Sequence, residues 1–281
     1  MMGMRWFWFQ LCTEVNHAPA KIITLTTDFG LKDPYVAEMK AAILSICPTV
    51  VIVDVSHEIE KFNVRMGAYI LASAASYFPK GTVHVAVVDP GVGTRRRALL
   101  VQTKLGFFLG PDNGLLALAA EKQGIMAIHE ITNPKLMLPE VSSTFHGRDL
   151  FAPAAAHVAS GVASTEFGAE VRDFVKPSFA KITRDKDVMT GEVLHVDHFG
   201  NVITNLSKGE ADKLSTRGMV KVEVGRFKSK LKLLRTYGGT KQGEPLALIG
   251  SHGYLEIAVN QGNAAGMFQV KSGDRVSISK P

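Results

Sequence analysis

The chain has 281 residues, 46% hydrophobic and 21% charged, which is ample apolar material for one large domain or two ordinary ones. Its two cysteines, Cys12 and Cys47, exclude a disulfide framework and a zinc site of cysteine pairs, and no apolar run approaches the roughly 18 residues of a membrane-spanning helix. The net charge of +6 attracts anions, but the excess is modest.

The first twenty residues stand apart. Arg5 precedes Trp6-Phe7-Trp8-Phe9, and Ala18-Pro19-Ala20 is similar to a small-residue cleavage site, as in an export signal. Glu14, Asn16 and His17 are polar where such a signal is usually apolar, so residues 1–20 are expected to be an unstructured or loosely docked extension.

Residues 22–26 read as a buried strand. Asp33 as N-cap and Pro34 at the first helical position then open a helix to about Ser45, stopped by Pro48. Residues 50–55 form a second strand, residues 63–78 a helix ended by Pro79-Lys80-Gly81, and residues 83–88 a third strand. This β-α-β-α-β order predicts a parallel sheet with helices on its faces. A hairpin is expected over 98–103 and 107–109, then a short helix over 114–123, a strand over 127–131 and an alanine-rich helix over 148–160.

Residues 161–189 mix glycine, proline and charge with weak periodicity and read as a linker region. From Gly191 short β-type runs recur at 192–196, 202–205, 220–224, 228–233, 246–249, 254–259 and 275–279, many separated by glycine turns. That spacing predicts a small antiparallel barrel or sandwich. The fold class is therefore α/β: an extension over 1–20, an α/β domain with a mainly parallel sheet over 21–160, the linker, and a β-barrel domain over 190–281. Alternation puts Lys228, Lys230 and Lys232 on one face, with Phe227, Leu231 and Leu233 on the other. With few aromatic residues nearby, this reads as a solvated barrel face, and no nucleic-acid or membrane partner is expected.

Several turns carry chemistry. Val87-Val88-Asp89-Pro90-Gly91-Val92-Gly93-Thr94 places a carboxylate at the end of an apolar strand, in a turn made tight by proline and two glycines, with Arg95, Arg96 and Arg97 following. Ligands of α/β sheets bind at the carboxyl ends of strands, which makes this a candidate site as well as a possible structural turn with an ion pair. Asp28, in Thr26-Thr27-Asp28-Phe29-Gly30, stands where a carboxylate can receive a ribose diol; the kinase reading of Asp-Phe-Gly fails because no glycine-rich or catalytic loop precedes it. Gly91-Val92-Gly93 lacks the remainder of a dinucleotide fingerprint or P-loop. His146, beside Gly147 at a helix start, is a candidate acid or base, whereas His57 reads as mainly structural. Asp197, Phe199 and Asn201 share one turn suited to an aromatic base and a cationic amine, and Ser251-His252-Gly253 opens another strand. No Gly-x-Ser-x-Gly elbow, His-Glu-x-x-His helix or EF-hand loop occurs, and no metal site is expected.

Together these motifs resemble the SAM hydroxide adenosyltransferases, the adenosine-forming S-adenosylmethionine (SAM) hydrolases related to the fluorinase and chlorinase. The likeness runs in order through Thr27-Asp28-Phe29-Gly30, Asp54-Val55-Ser56-His57, Val88 to Thr94, Gly110-Pro111-Asp112-Asn113-Gly114, Phe145-His146-Gly147-Arg148-Asp149, Asp197 with Phe199-Gly200-Asn201, and Gly253 to Ala258. It covers residues 21–281. The resemblance implies a homotrimer with each site between one subunit's N-terminal domain and a neighbour's barrel, SAM as substrate with no added cofactor, and a cytoplasmic enzyme unless residues 1–20 direct export. It implies hydroxide transfer from water to the ribose C5′, giving adenosine and L-methionine, with Asp89, Arg96 and His146 as the catalytic trio. Because the halogenating relatives lack that trio, water is favoured over halide; a halide transferase and a non-catalytic SAM or adenosine binder are the alternatives. Asp28 resembles the ribose-diol carboxylate, Asp197 the partner of the methionine ammonium, and Asn201 the residue on adenine, with Phe199 beside them. Ser251 matches the methionine-carboxylate position, where His252 replaces an arginine of the halogenating relatives. The proton acceptor stays open between neutral His146 and a relay to solvent.

Overall fold

The computed structural model describes residues 21–281, and the expectations for residues 1–20 lie outside the described residues. The N-terminal part runs β1 (Ile22–Thr27), α1 (Tyr35–Ile46), β2 (Val51–Ser56), α2 (Val64–Ala75), β3 (Thr82–Val87), β4 (Ala98–Thr103), β5 (Gly106–Pro111), α3 (Ala117–Gln123), β6 (Ile125–Glu130) and α4 (Ala152–Ala159). Its six strands are ordered β2-β1-β3-β5-β4-β6. The first four are mutually parallel, and β4 runs antiparallel to both β5 and β6. Strands β1 and β3 are buried along almost their whole length, as expected of a sheet covered on both faces. Two apolar clusters do the covering, one built from α1 and α4 with Met39, Ile43 and Phe151, the other from α2 and α3 with Leu71 and Leu115.

Two helix starts differ from expectation. Helix α1 begins at Tyr35 with Pro34 in the cap position and no side-chain cap, so Asp33 does not cap it. The alanine-rich segment is one α-helix only from Ala152; Gly147–Phe151 forms a π-helical turn before it. Pro153 explains the change of register. Proline has no N–H to give the Asp149 carbonyl, and that carbonyl instead accepts from Leu138 N–H at 2.8 Å, while Ala152 N–H reaches back to Gly147.

The C-terminal part comprises β7 (Thr183–Asp185), β8 (Val188–Val196), β9 (Val202–Ser207), α5 (Lys208–Leu214), β10 (Met219–Val224), β11 (Phe227–Leu234), β12 (Pro245–Ile249), β13 (Tyr254–Val259), α6 (Ala264–Phe268) and β14 (Arg275–Ser279). The order is β14-β10-β11-β12-β13-β9-β8-β7, and pairing of β14 with β8 closes seven strands into a barrel with β7 appended. The pairs are antiparallel except β11 with β12, which is parallel, so the barrel is not purely antiparallel. Lys228, Lys230 and Lys232 are exposed and Leu231 is buried, as the alternation requires. Helix α5 carries a capping box, Ser207 with Glu210.

Residues 161–189 pack rather than dangle: Phe167 joins the first cluster, Phe179 the second, and Arg97 binds Asp173 at 3.0 Å. Arg65 on α2 reaches Glu192 on β8 at 2.7 Å and ties barrel to sheet. Among the described residues no helix is long and apolar enough to cross a membrane.

Candidate active site

Asp28 follows β1 and Asp89 lies two residues beyond β3. The two strands are parallel neighbours with Thr27 opposite Val87, so both carboxylates emerge at the carboxyl edge of the sheet. The chain leaves β1 for β2 on one side and returns to β3 on the other, a topological switch point where such sheets leave a ligand crevice. A cavity of about 640 Å³ lies there, lined by Asp28, Asp89 and His146 and by the rings of Phe29, Tyr35 and Phe145. Those three rings meet edge to face with centroids 5.2, 5.7 and 5.9 Å apart, the favourable aromatic arrangement.

The Asp89 turn is fixed by its neighbours. Gly93 adopts φ +76°, and a Cβ there would fall 2.2 Å from the Ser143 carbonyl oxygen, so only glycine fits. Gly91 is different: its φ is not left-handed and a Cβ would meet its nearest atoms at 3.5 Å. One glycine, not two, is therefore demanded by the turn. Asn113 Nδ2 donates to the Val88 carbonyl at 2.8 Å and braces the turn from the Gly110–Gly114 segment.

Of the three arginines only Arg96 joins the site. Its Nε lies 3.1 and 2.9 Å from the two Asp89 oxygens, and Nη2 also donates to Oδ2. Nη2 is 2.7 Å from His146 Nδ1. Arg96 can only donate, so the contact assigns Nδ1 as acceptor and the ring proton to Nε2. Burial and the adjacent Arg96 charge hold the His146 pKa below its usual 6.5, which keeps this tautomer through neutral pH. Arg97 binds Asp112 at 2.9 Å through Nε and faces away, and Arg95 is exposed.

A second group of predicted residues gathers on the barrel. Asp197 Oδ1 accepts from the N–H of Phe199 at 2.9 Å and of Asn201 at 2.8 Å, and Oδ2 from Asn201 Nδ2 at 2.9 Å. With Tyr237, Val259 and Asn263 these residues line a cavity of about 670 Å³. The Phe199 ring is 75% exposed, so the cavity has an uncovered aromatic wall. Ser251 is exposed in the turn between β12 and β13 and does not line this cavity, while its neighbour His252 lies 3.1 Å from Tyr69 Oη on α2. The two cavities share no lining residue, and within one chain Asp28, Asp89 and His146 are not joined to Asp197, Phe199 and Asn201.

Two residues have no place in the sequence analysis, Phe62 and Tyr237. Phe62 is 67% exposed, takes a left-handed φ of +64° rare for a bulky residue, and donates its N–H to Asp28 Oδ2 at 2.8 Å. An apolar residue between Lys61 and the helix-capping Asn63 was the available signal. Tyr237 Oη donates to Glu256 Oε1 at 2.6 Å, and burial, with Asp197 nearby, raises the Glu256 pKa. Tyr237 lies in a short turn with no periodicity, so nothing in the sequence marked it. Among the described residues no three His, Cys, Asp or Glu side chains converge as a metal site.

The family description of the SAM hydroxide adenosyltransferase N-terminal domain matches residues 23–168, and that of the C-terminal domain matches residues 191–277. The chain belongs to the SAM hydroxide adenosyltransferase family. It is similar to the (R)-S-adenosyl-L-methionine hydrolase of Salinispora tropica, 40% identical over 93% of this chain and 99% of that one. The hydrolase of the same name from Methanocaldococcus jannaschii is 39% identical over 92% of this chain and 95% of its own. A crystal structure of a conserved protein from Thermotoga maritima superposes with a TM-score of 0.85 at 41% identity, covering 92% of this chain and 100% of that one. The matched SAM hydroxide adenosyltransferase domains thus carry the two cavities, one each.

Proposed function

We propose that this chain hydrolyses S-adenosyl-L-methionine at the ribose C5′, giving adenosine and L-methionine. The observation that carries the reading is the Asp89–Arg96–His146 cluster on the cavity of the sheet, in a chain whose full-length relatives are named as SAM hydrolases. A sulfonium is already a good leaving group, so the protein must chiefly hold water in line behind C5′ and manage its proton. Positioning of this kind supplies up to about 7–11 kcal/mol of barrier lowering.

The hydrogen bonds support a division of labour. His146, with Nδ1 given to Arg96, has only its Nε2–H to offer and serves as a donor that orients the water. Neutral His146 is then not the proton acceptor. Asp89 faces the cavity and can accept. As the new C–O bond forms, the water oxygen gains positive charge and becomes strongly acidic, so a carboxylate suffices: its proton passes to Asp89 while the C5′–S electron pair leaves with methionine. Arg96 fixes both partners. Asp28 receives the ribose diol, Asp197 the methionine ammonium and Asn201 adenine, with Phe199 against the base.

The relatives' names also direct the choice of substrate isomer. The L descriptor fixes the α-carbon and the adenosyl group fixes the ribose, which leaves the sulfonium sulfur as the centre that (R) describes. We infer the (R)-sulfonium epimer as the preferred substrate. The separation of the two cavities supports a complete site formed between copies, in a homotrimer, one supplying Asp28, Asp89 and His146 and the next Asp197, Phe199 and Asn201. Ser251 joins the methionine carboxylate only if that contact is also made in the assembly. The compartment we infer is the cytoplasm, where SAM is made.

The test is incubation of the purified protein with each SAM epimer in chloride-free buffer, products being separated by liquid chromatography and identified by mass. Equal amounts of adenosine and methionine, formed faster from the (R) epimer, are expected. Unchanged substrate with both epimers, or product only after chloride is added, contradicts the reading.

A further inference from the structure

The Asp54–His57 segment carries part of the family likeness yet lines neither cavity. Its placement gives it a task. Strand β2 is the parallel neighbour of β1, so His57, just past β2, comes beside Thr27 at the end of β1. His57 is only 4% exposed and Thr27 is fully buried. The ring Nδ1 lies 2.8 Å from Thr27 Oγ1, and the His57 carbonyl accepts from Gly30 N–H at 2.8 Å. Thr27 Oγ1 accepts in turn from Phe29 N–H at 3.3 Å.

These bonds enclose the turn from which Asp28 enters the cavity. On the other side of the imidazole, Nε2 is 3.1 Å from Asp54 Oδ1, whose second oxygen is held by Lys40 Nζ at 2.6 Å. The Nε2 contact lies off the hydrogen-bond axis. Even so, a carboxylate can only accept, so it favours the ring proton on Nε2 and turns the Nδ1 lone pair toward the Thr27 hydroxyl. The proton order is then continuous: Phe29 N–H to Thr27 Oγ1, Thr27 O–H to His57 Nδ1.

A buried histidine with one partner can simply be a satisfied core residue. Here its side chain bonds Thr27 and its carbonyl bonds Gly30, on either side of one cavity carboxylate in the chain, and Phe62 N–H holds that carboxylate's Oδ2. We propose that His57, acting through the Thr27 hydroxyl, is a positioning residue for Asp28 and so for the ribose diol of the substrate. The inference rests on the reading of Asp28 as the diol carboxylate.

The test compares competitive inhibition of the full-length enzyme by adenosine and by 2′,3′-dideoxyadenosine, whose ratio of inhibition constants reports the diol contact. The variants are Asp28→Ala, Thr27→Val, Thr27→Ser, His57→Ala and His57→Asn. Thr27→Val keeps the shape and loses only the hydroxyl, which covers the case in which His57→Ala fails to fold. Wild-type enzyme is expected to favour adenosine by about tenfold or more, the scale of hydrogen bonds to a charged group. Thr27→Val and His57→Ala are expected to shrink that ratio toward the Asp28→Ala value and to raise KM for SAM about tenfold, with kcat within about twofold. Thr27→Ser, and His57→Asn with an amide oxygen in place of Nδ1, are expected to keep it. A wild-type ratio in Thr27→Val and His57→Ala, alongside a collapsed ratio in Asp28→Ala, overturns the inference and leaves the Asp28 reading standing. A wild-type ratio in Asp28→Ala removes the diol reading itself, and the inference with it.

Discussion

Arg96 makes the site one unit rather than three residues. A single planar guanidinium spans both Asp89 oxygens and His146 Nδ1, which a lysine ammonium on one point cannot do. Arg96→Lys is expected to lower kcat/KM by about 10²-fold or more while circular dichroism and melting temperature stay near wild type. Measured steady-state kinetics with adenosine as the readout decide this; a loss below about threefold contradicts the shared-donor role. The same contact sets the pH dependence. Protonated His146 has no lone pair for Arg96, so the active form is neutral, and its pKa is pushed below 6.5 by burial and by Arg96. Accordingly kcat/KM is expected to stay level as pH falls through 6.5 and to decline only below it. An acid limb centred at or above 6.5 contradicts the assigned tautomer.

At the scale of elements, the turn after β3 and the segment before α4 lock together through one glycine. Gly93→Ala would need a left-handed alanine and would drive its Cβ into the Ser143 carbonyl, displacing the turn that bears Asp89. A shift of about 1 Å at reacting groups costs on the order of 10²-fold in rate, and that is the loss expected for Gly93→Ala, with Gly91→Ala close to wild type as its control. Equal activity in both variants contradicts the account. Inside the sheet, His84 on β3 bonds Thr24 on β1 through Nδ1 at 2.8 Å, and burial lowers its pKa to about 4. The unfolded chain binds that proton near 6.5, so stability is full above 6.5 and is lost as pH falls toward 4, by about 3 kcal/mol in all. Urea unfolding across this window should show stability falling with pH, and His84→Gln should remove about that share of the fall, the remainder coming from other histidines held below 6.5 such as His146 and His195; an unchanged fall in the variant assigns it elsewhere.

The elements that could be read in advance were those whose signals are local. Alternation at Lys228–Leu233 and the apolar runs of β1 and β3 report their own burial. The π-helical turn is only half legible: Pro153 inside the expected helix marks a break, but the form it takes depends on Leu138 N–H occupying the Asp149 carbonyl from a distant segment. Asp89 was marked by its turn, whereas Tyr237 enters the barrel cavity only through tertiary placement. His146 has no local mark beyond its helix start, because its partner Arg96 lies 50 residues away in sequence and meets it only in the fold. The packing of residues 161–189 was missed because Phe167 and Phe179 stand alone among polar neighbours, without a period to flag them.

Over the whole molecule, one chain carries two separate cavities on two domains, one lined by Asp28, Asp89 and His146, the other by Asp197, Phe199 and Asn201. If a complete site needs both from different copies, two inactive variants can repair each other. His146→Ala and Asp197→Ala are each expected to be nearly inactive alone, and after mixing, mild dissociation and reassembly a fraction of sites should regain wild-type halves and turnover. Activity that stays at the sum of the separate variants contradicts the shared site. The central claim is that water delivers its oxygen to C5′, and hydrolysis in heavy-oxygen water tests it most directly. The account predicts one heavy oxygen in adenosine, at C5′, and none in methionine. Adenosine formed without the label at C5′ would contradict it.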